Sequence, residues 1–540
     1  MTRVYPPFAY GNRLLVETAL DLADSSPDRI YATIPKSDNI SVDGFRDISF
    51  RDLKHLITWL AGWIETAWGK SSDHETIVYL GVPDLRPSLV FFAAAMSGYK
   101  ASPNAATTNA SLLEQTKCTK IIYGVEVKPL ADQLCESTGA SVLQIPPLDD
   151  LIAADPRQYS YSRKSFEEAK NEPILVLHSS GSTGLPKPIV MTNGTFAVLD
   201  NEKTLPGVEG RIRRDYSIWD FEGGGKFFTP MPFFHLSGFL TLVVNPVFAE
   251  ASTPVIGPAD VPPNGDLLKE VLRQQNIRAM YILPFMAEQL LAEPGGLDYF
   301  RGVDFVCYTG SPFSPSAGQQ LAQVTDLVTL YGSTEAFQTP QLVPAKEDWA
   351  YMEWNPHFKH EMQLAEDGLY EMVLFADAST EKRSALNHNF PGISEWRTRD
   401  LFKAHPSKSN LWQYYGRRDD VIVLWNGYKF NPIQAELIIG ACKLISGVLI
   451  TGTGRPELAL IIEANAKNVG DNEALIHEVW PLVEQTNASN PEHNRITRSM
   501  ILVVPNATFV RAGKGTVVRK LSEQKLQTQI SKLYATSKER

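Results

Sequence analysis

The stretch ILVLHSSGSTGLPKPIVMTN, residues 174–193, decides the reading of this chain. An apolar, strand-like run reaches His178 and gives way to Ser179, Ser180, Gly181, Ser182, Thr183 and Gly184, then to Leu185, Pro186 and Lys187. Glycine adopts positive φ and lets a ligand approach the backbone closely. Successive N–H groups and hydroxyls can then wrap an anion, and Lys187 adds a point charge. The segment reads as a phosphate-handling loop at the end of a buried strand. It is not a P-loop, because the G-x-x-x-x-G-K-[ST] spacing is absent here and at every other Gly-Lys pair.

Outward from this loop, short apolar runs recur as predicted strands at 77–82, 119–124, 173–178, 279–284, 304–310 and 326–332. Helical stretches separate many of them. At 51–68, Leu53, Leu56, Ile57, Leu60, Trp63 and Ile64 follow the three-to-four spacing of an amphipathic helix. Such alternation predicts an α/β fold with a largely parallel sheet. In open α/β sheets ligands gather beyond the carboxyl ends of the strands, so the chemistry is expected on those loops. From about residue 365 the texture changes. GLYEMVLFA (368–376) predicts antiparallel strands, and the charged turn GRRDD (416–420) opens a fresh unit. That unit has predicted strands near 421–425, 448–454 and 458–464 and helices near 432–443 and 472–486. A domain boundary is expected at Asp419, dividing a core of 1–418 from a smaller domain of 419–540.

The 540 residues are 43% hydrophobic and 21% charged, which excludes a disordered polymer, a collagen or a small disulfide scaffold. A net charge of −10 gives no support for nucleic-acid binding. Cys118, Cys135, Cys307 and Cys442 form no CxxC pair, so neither a zinc nor a redox motif is indicated. The N-terminal sequence lacks the apolar run of a signal peptide, and no stretch is apolar enough to span a membrane. The cytosol is the expected compartment, with no membrane partner.

Further motifs lie along the chain: MPFFHLSGF (231–239), YTGSPFS (308–314), YGSTE (331–335), WRTRDLF (396–402) and GRRDDVIVLWNGYKFNP (416–432). With HSSGSTGLPK (178–187), and in this order, they resemble the motifs of the adenylate-forming superfamily of acyl-CoA synthetases, nonribosomal peptide synthetase (NRPS) adenylation domains and luciferases. The resemblance implies a large multi-subdomain N-terminal domain with mixed sheets and a smaller, mobile α+β C-terminal domain that rotates about Asp419 between two half-reactions. It implies ATP, giving AMP, and Mg²⁺. The loop Ser179–Gly184 with Lys187 would hold phosphate, with Thr183 among the catalytic groups. Glu335 would ligate the metal and Thr334 would touch the α-phosphate within Gly332–Ser333–Thr334. Gly310, Ser311 and Pro312 would line the adenine, and Tyr331 would pack near it. Asp400 would take the ribose hydroxyls, and Arg417 would complete those contacts. Arg399 stands where the family usually has glycine. The catalytic lysine is assigned to Lys514 on the Gly-Lys pair of RAGKGTVVRK (511–520), with Lys520 as the alternative.

The implied chemistry is attack of a carboxylate on the α-phosphorus of ATP, then transfer of the acyl group to a thiol. Phe234, His235, Gly310 and Gly332 are the candidate substrate pocket, with His235 also a candidate catalytic group. His235 falls where amino-acid-activating domains usually carry an aspartate for the substrate ammonium. A buried ammonium without a partner is costly. The expected substrate is therefore an acid without an α-ammonium group, aromatic or otherwise apolar. The stretches TRDLFKAHPSKSNLW (398–412) and NGYKFNP (426–432) resemble adenylation domains of fungal NRPS-like carboxylic acid reductases, whose acceptor is a carrier phosphopantetheine thiol. A free-standing ligase that uses CoA and a catalytically silent nucleotide-binding module remain alternatives.

Overall fold

Parallel strands buried on both faces need nearly continuous apolar sequence, and the runs named above provide it. The computed structural model describes residues 9–104, 110–179, 187–211, 224–249, 252–366, 368–465, 472–488, 490–511 and 516–537. Each of the six predicted runs lies on a strand of one of two large sheets. The first sheet orders its strands as Ser141–Gln144, Lys120–Tyr123, Thr76–Leu80, Lys100–Asn104, Pro173–Ser179 and Lys187–Thr192. Neighbours are parallel until the last pair, which is antiparallel. The second runs Asp326–Thr329, Phe305–Tyr308, Ile277–Ile282, Gly225–Thr229, Ser252–Ile256, Ile30–Pro35 and Phe45–Ser49, parallel except for the final pair. Every residue of Thr76–Leu80 and of Ser252–Ile256 is buried.

The predicted helix at 51–68 is Phe50–Trp68. Ser49 caps it: its hydroxyl accepts from the Asp52 N–H while the Asp52 carboxylate accepts from the Ser49 N–H, satisfying two otherwise orphaned donors. Leu53, Leu56, Ile57, Leu60 and Ile64 are buried, as their spacing requires. They join a core that includes Phe91, Phe92, Phe196 and Phe239.

Beyond residue 359 the sheet chemistry changes, as the alternating pattern predicts. His360–Glu366, Leu369–Phe375, Glu395–Ala404 and Trp412–Arg417 form a four-stranded antiparallel sheet. Residues from 422 onward build apolar clusters of their own around the three strands Ile445–Thr451, Ala459–Ala464 and Ile501–Val504. Helices Pro432–Gly440, Asn472–Ala488 and Arg519–Ser537 accompany those strands. The VIVLW run is shorter than its pattern predicts. Only Ile422–Val423 pairs, with Lys429–Phe430, because the chain turns through Gly427 at φ 84°. Cys118 and Cys307 are buried and Cys135 and Cys442 half-buried, all free thiols. Among the described residues no helix is long and apolar enough to cross a membrane.

Candidate active site

The strand Pro173–Ser179 carries the phosphate-type loop and returns along Lys187–Thr192. Ser179 pairs with Lys187 and Leu177 with Ile189. The loop therefore joins two antiparallel strands, and the described chain after it continues as a strand. Ser180, Gly181, Ser182, Thr183 and Gly184 lie outside the described residues, as does Lys514. Lys187 is exposed, with no ion-pair partner among the described residues. His178, just before the loop, is held neutral: burial lowers its pKa to about 4. Its buried Nε2 has no hydrogen-bond partner among the described residues.

The second loop is YGSTE. After the strand Asp326–Thr329 the chain makes a tight hairpin, with Gly332 opposite Gln338 and Ser333 opposite Phe337. A Cβ on Gly332 would sit 2.3 Å from the Phe337 carbonyl oxygen, so only glycine fits there. Thr334, Glu335 and Ala336 form the turn, and the Ala336 N–H donates to the Ser333 hydroxyl at 3.2 Å. Asn389 fixes the turn from outside. Its Nδ2 donates to the Glu335 carbonyl at 2.8 Å, and its Oδ1 accepts from the Thr195 hydroxyl at 2.9 Å. Thr195 in turn accepts from the Thr192 N–H at 3.0 Å, at the end of the return strand of the first loop. One chain of hydrogen bonds thus ties the Glu335 turn to the hairpin that carries Lys187. Asn389 was not among the predicted residues, and nothing in its sequence context marks it.

The third element is an irregularity in the antiparallel sheet. Glu371 pairs with Leu401 but Val373 pairs with Arg397, so residues between them bulge from the strand Glu395–Ala404. Bulges re-aim side chains, and this one carries Asp400. The Asp400 carboxylate accepts from the Tyr331 hydroxyl at 2.7 Å, with the Tyr414 hydroxyl at 3.5 Å and Arg417 Nε at 3.8 Å. Asp400 and Arg417 are register partners on adjacent strands. Burial raises the Asp400 pKa, against the Tyr331 hydrogen bond and the Arg417 charge. The Tyr331 ring packs edge-on against Trp354 at 6.0 Å and Phe402 at 5.4 Å. Tyr331, Asp400 and Arg417 were predicted from separate motifs and meet here; Tyr414 was missed, although it lies three residues before Arg417. Arg399 has φ 60°, the left-handed conformation that glycine supplies in the usual pattern.

The remaining candidates flank these loops. Gly310 has φ 91° and is exposed, Ser311 and Pro312 are half-buried, and Phe313 anchors the strip against Tyr308 at 4.7 Å. In MPFFHLSGF, Phe233 points into the core against Phe239, whereas Phe234 and His235 are half-buried with rings 4.7 Å apart. A Cβ on Gly238 would lie 2.1 Å from the Pro232 carbonyl oxygen, which explains the glycine. Lys520 lies in the first turn of Arg519–Ser537, beside Arg519, which is held by Glu436 at 2.7 Å.

The sequence profile described as AMP-binding enzyme matches residues 24–352, and that of the AMP-binding enzyme C-terminal domain matches 419–538. The chain belongs to the AMP-binding enzyme family. It is an adenylate-forming enzyme. Among curated relatives it is 30% identical over 538 residues to an isocyanide synthase–NRPS hybrid of Aspergillus fumigatus, covering 97% of this chain and 34% of that protein. It is 30% identical over 548 residues to a carboxylic acid reductase of Neurospora crassa, covering 98% and 51%. The chain thus spans about a third and about half of the lengths of these relatives. The acetoacetyl-CoA synthetase from Streptomyces lividans superposes with a TM-score of 0.70 at 15% identity, over 97% of this chain and 84% of that one. At that identity the likeness concerns the fold alone.

An Mg²⁺ ion bound with ATP would take only one or two protein carboxylates beside phosphate oxygens and water. Among the described residues no group of three or more acidic, His or Cys side chains is arranged to hold a metal, and no cation pairs with Glu335. A single available carboxylate on a braced turn fits an ion that arrives with its nucleotide.

Proposed function

We propose that this chain activates a carboxylic acid as its acyl adenylate and hands the acyl group to a phosphopantetheine thiol, as the adenylation unit of an NRPS-like carboxylic acid reductase. The observation that carries the nucleotide half is the meeting of Tyr331, Asp400 and Arg417, three separate motifs converging on one half-buried carboxylate. Asp400 accepts from both ribose hydroxyls and Arg417 completes the contact. Ser179–Gly184 and Lys187 hold the phosphates, Thr183 and Thr334 contact the reacting group, and Gly310–Pro312 line the base. Glu335 holds Mg²⁺, which neutralises charge on the phosphates when bound. The acid's oxygen attacks the α-phosphorus, pyrophosphate leaves, and Lys514 stabilises the developing charge. The acceptor thiol then attacks the acyl carbon and AMP leaves.

The division into 1–418 and 419–540, with rotation about Asp419, lets one site serve both steps. Similarity to a carboxylic acid reductase over 98% of the chain supports this reading of the acceptor. Phe234 and His235 with Gly310 and Gly332 form the acid pocket. These four residues offer no carboxylate for an ammonium group, so an aromatic or otherwise apolar acid is the substrate class.

ATP–pyrophosphate exchange across a panel of acids tests this. The best turnover is expected with an aryl or apolar acid, and best turnover with an ordinary α-amino acid refutes the substrate class. Lys514→Ala should abolish exchange while Lys520→Ala retains it; loss with only the second change reverses the lysine assignment. Faster transfer to free CoA than to a loaded carrier protein would refute the acceptor.

A further inference from the structure

The segment 417–420 carries four consecutive charges, and each faces an opposite charge. Arg417 faces Asp400 at 3.8 Å, Arg418 faces Glu371 at 3.6 Å and Asp419 faces Arg399 at 3.5 Å. All three partners lie on the antiparallel sheet that precedes the segment. Asp420 faces the other way, toward Arg519 at 3.9 Å. The change of side between Asp419 and Asp420 falls on the residue about which rotation is proposed.

The Arg399 end of this arrangement is built. Glu371 is buried, with 3% of its surface exposed, and its carboxylate accepts from the Arg399 N–H at 3.1 Å. Arg397 braces the same carboxylate at 3.2 Å. The bulge thus holds Arg399 in a left-handed conformation that costs an arginine and would cost a glycine little. A strained residue persists when its surroundings over-determine it. What the arginine adds, and glycine cannot, is a guanidinium on Asp419.

We infer that Arg399 is a positioning residue that ties the hinge carboxylate of Asp419 to the bulge carrying Asp400, and so sets the balance between the two half-reactions. The inference rests on the two-step reading above. A change in φ at Asp419 swings its carboxylate away from Arg399 together with everything that follows, and so breaks the pair. In the orientation seen here, the Trp425 and Tyr428 side chains at the tip of the turn 424–428 are 73% and 48% exposed. On the two-step reading this turn, with Asn426 and Gly427, faces the incoming thiol during transfer, so the tether holds the orientation that precedes it. Both partners are about half exposed, so the pair biases the rotation without locking it.

Two rates test this on the whole chain: ATP–pyrophosphate exchange, and single-turnover transfer of the acyl group to a phosphopantetheine-loaded carrier. Arg399→Gly should raise the ratio of transfer to exchange by about two- to fivefold, the range of an exposed ion pair. Arg399→Lys should restore the parent ratio. Asp419→Asn should shift it as Arg399→Gly does, and the double variant should shift it no further. In the parent alone, the ratio should approach that of Arg399→Gly between about 0.1 and 1 M salt, as the screening length falls from about 10 to about 3 Å. Distances between spin labels on the large and small domains report the tether without any reaction and should broaden in Arg399→Gly. An unchanged ratio with unchanged label distances overturns the inference, as does an equal fall in both rates. If the parent exchanges no pyrophosphate with any acid, the two-step reading fails and the balance of half-reactions with it; the label distances then still decide whether the tether exists.

Discussion

Replacing Tyr331 by phenylalanine removes one oxygen and leaves the ring to pack on Trp354 and Phe402. The lost group is the hydroxyl that donates to Asp400 at 2.7 Å. A hydrogen bond to a charged acceptor contributes about 1.5–3 kcal/mol. The lower end applies here, because Arg417 and the Tyr414 hydroxyl remain near the carboxylate and can close on it. A loss of about 1.5 kcal/mol corresponds to about a tenfold rise in the KM for ATP. The same loss acts on the protonation of Asp400. Burial already raises its pKa, and the Tyr331 hydrogen bond opposes that rise. Without the hydroxyl the pKa climbs further. Ribose hydroxyls need the carboxylate ionised, so the acid limb of kcat/KM for ATP should move to higher pH. The KM for the acid should stay within about twofold, since the change lies on the nucleotide side. ATP–pyrophosphate exchange, measured against ATP concentration from pH 5 to 9, reads both effects. Tyr414→Phe is the graded control, with a smaller shift expected from a bond at 3.5 Å. A Tyr331→Phe enzyme with an unaltered KM for ATP and an unmoved acid limb would refute the role given to Asp400.

Asp200 and Arg13 form a buried ion pair, with side chains 0% and 8% exposed, and Asp200 also accepts from the Gly11 N–H. Asp200→Ala removes the counter-charge of the buried guanidinium and should cost about 3–5 kcal/mol, read as a lower urea midpoint at unchanged slope. His178 has its folded pKa lowered to about 4, below its unfolded value, so its contribution to stability is complete above about pH 6.5 and is lost as pH falls toward 4. Between pH 7.5 and 5 the parent should lose about 2 kcal/mol more than His178→Gln does, measured by urea unfolding at both values. Phe239 is fully buried against Phe91, Phe196 and Phe233, so Phe239→Ala should cost about 3–5 kcal/mol in the same assay.

Much of the fold is local information. The six apolar runs and the 51–68 periodicity predict elements that form, because a parallel strand and an amphipathic helix leave signatures in hydrophobic spacing alone. The antiparallel texture after residue 365 is legible for the same reason. The VIVLW run misled because hydrophobicity does not register where a turn closes. The loop that returns as an antiparallel strand at Lys187, where α/β alternation would lead into a helix, is likewise a matter of pairing.

The site divides along the same line. The sequence by itself determined which side chains are chemically suited to nucleotide handling, since composition and order within each motif are properties of the chain. It could not decide which of them meet. Tyr331 and Asp400 are 69 residues apart and touch only because a bulge in one sheet turns a carboxylate toward a tyrosine that leads out of the other. Asn389 carries no motif and gains its place by bridging Thr195 to the Glu335 turn. Arg399 read as a departure from pattern, and its backbone conformation and its approach to Asp419 exist only in three dimensions. Contacts of this kind depend on long-range register, which hydrophobic periodicity does not encode, and tertiary packing alone fixed them.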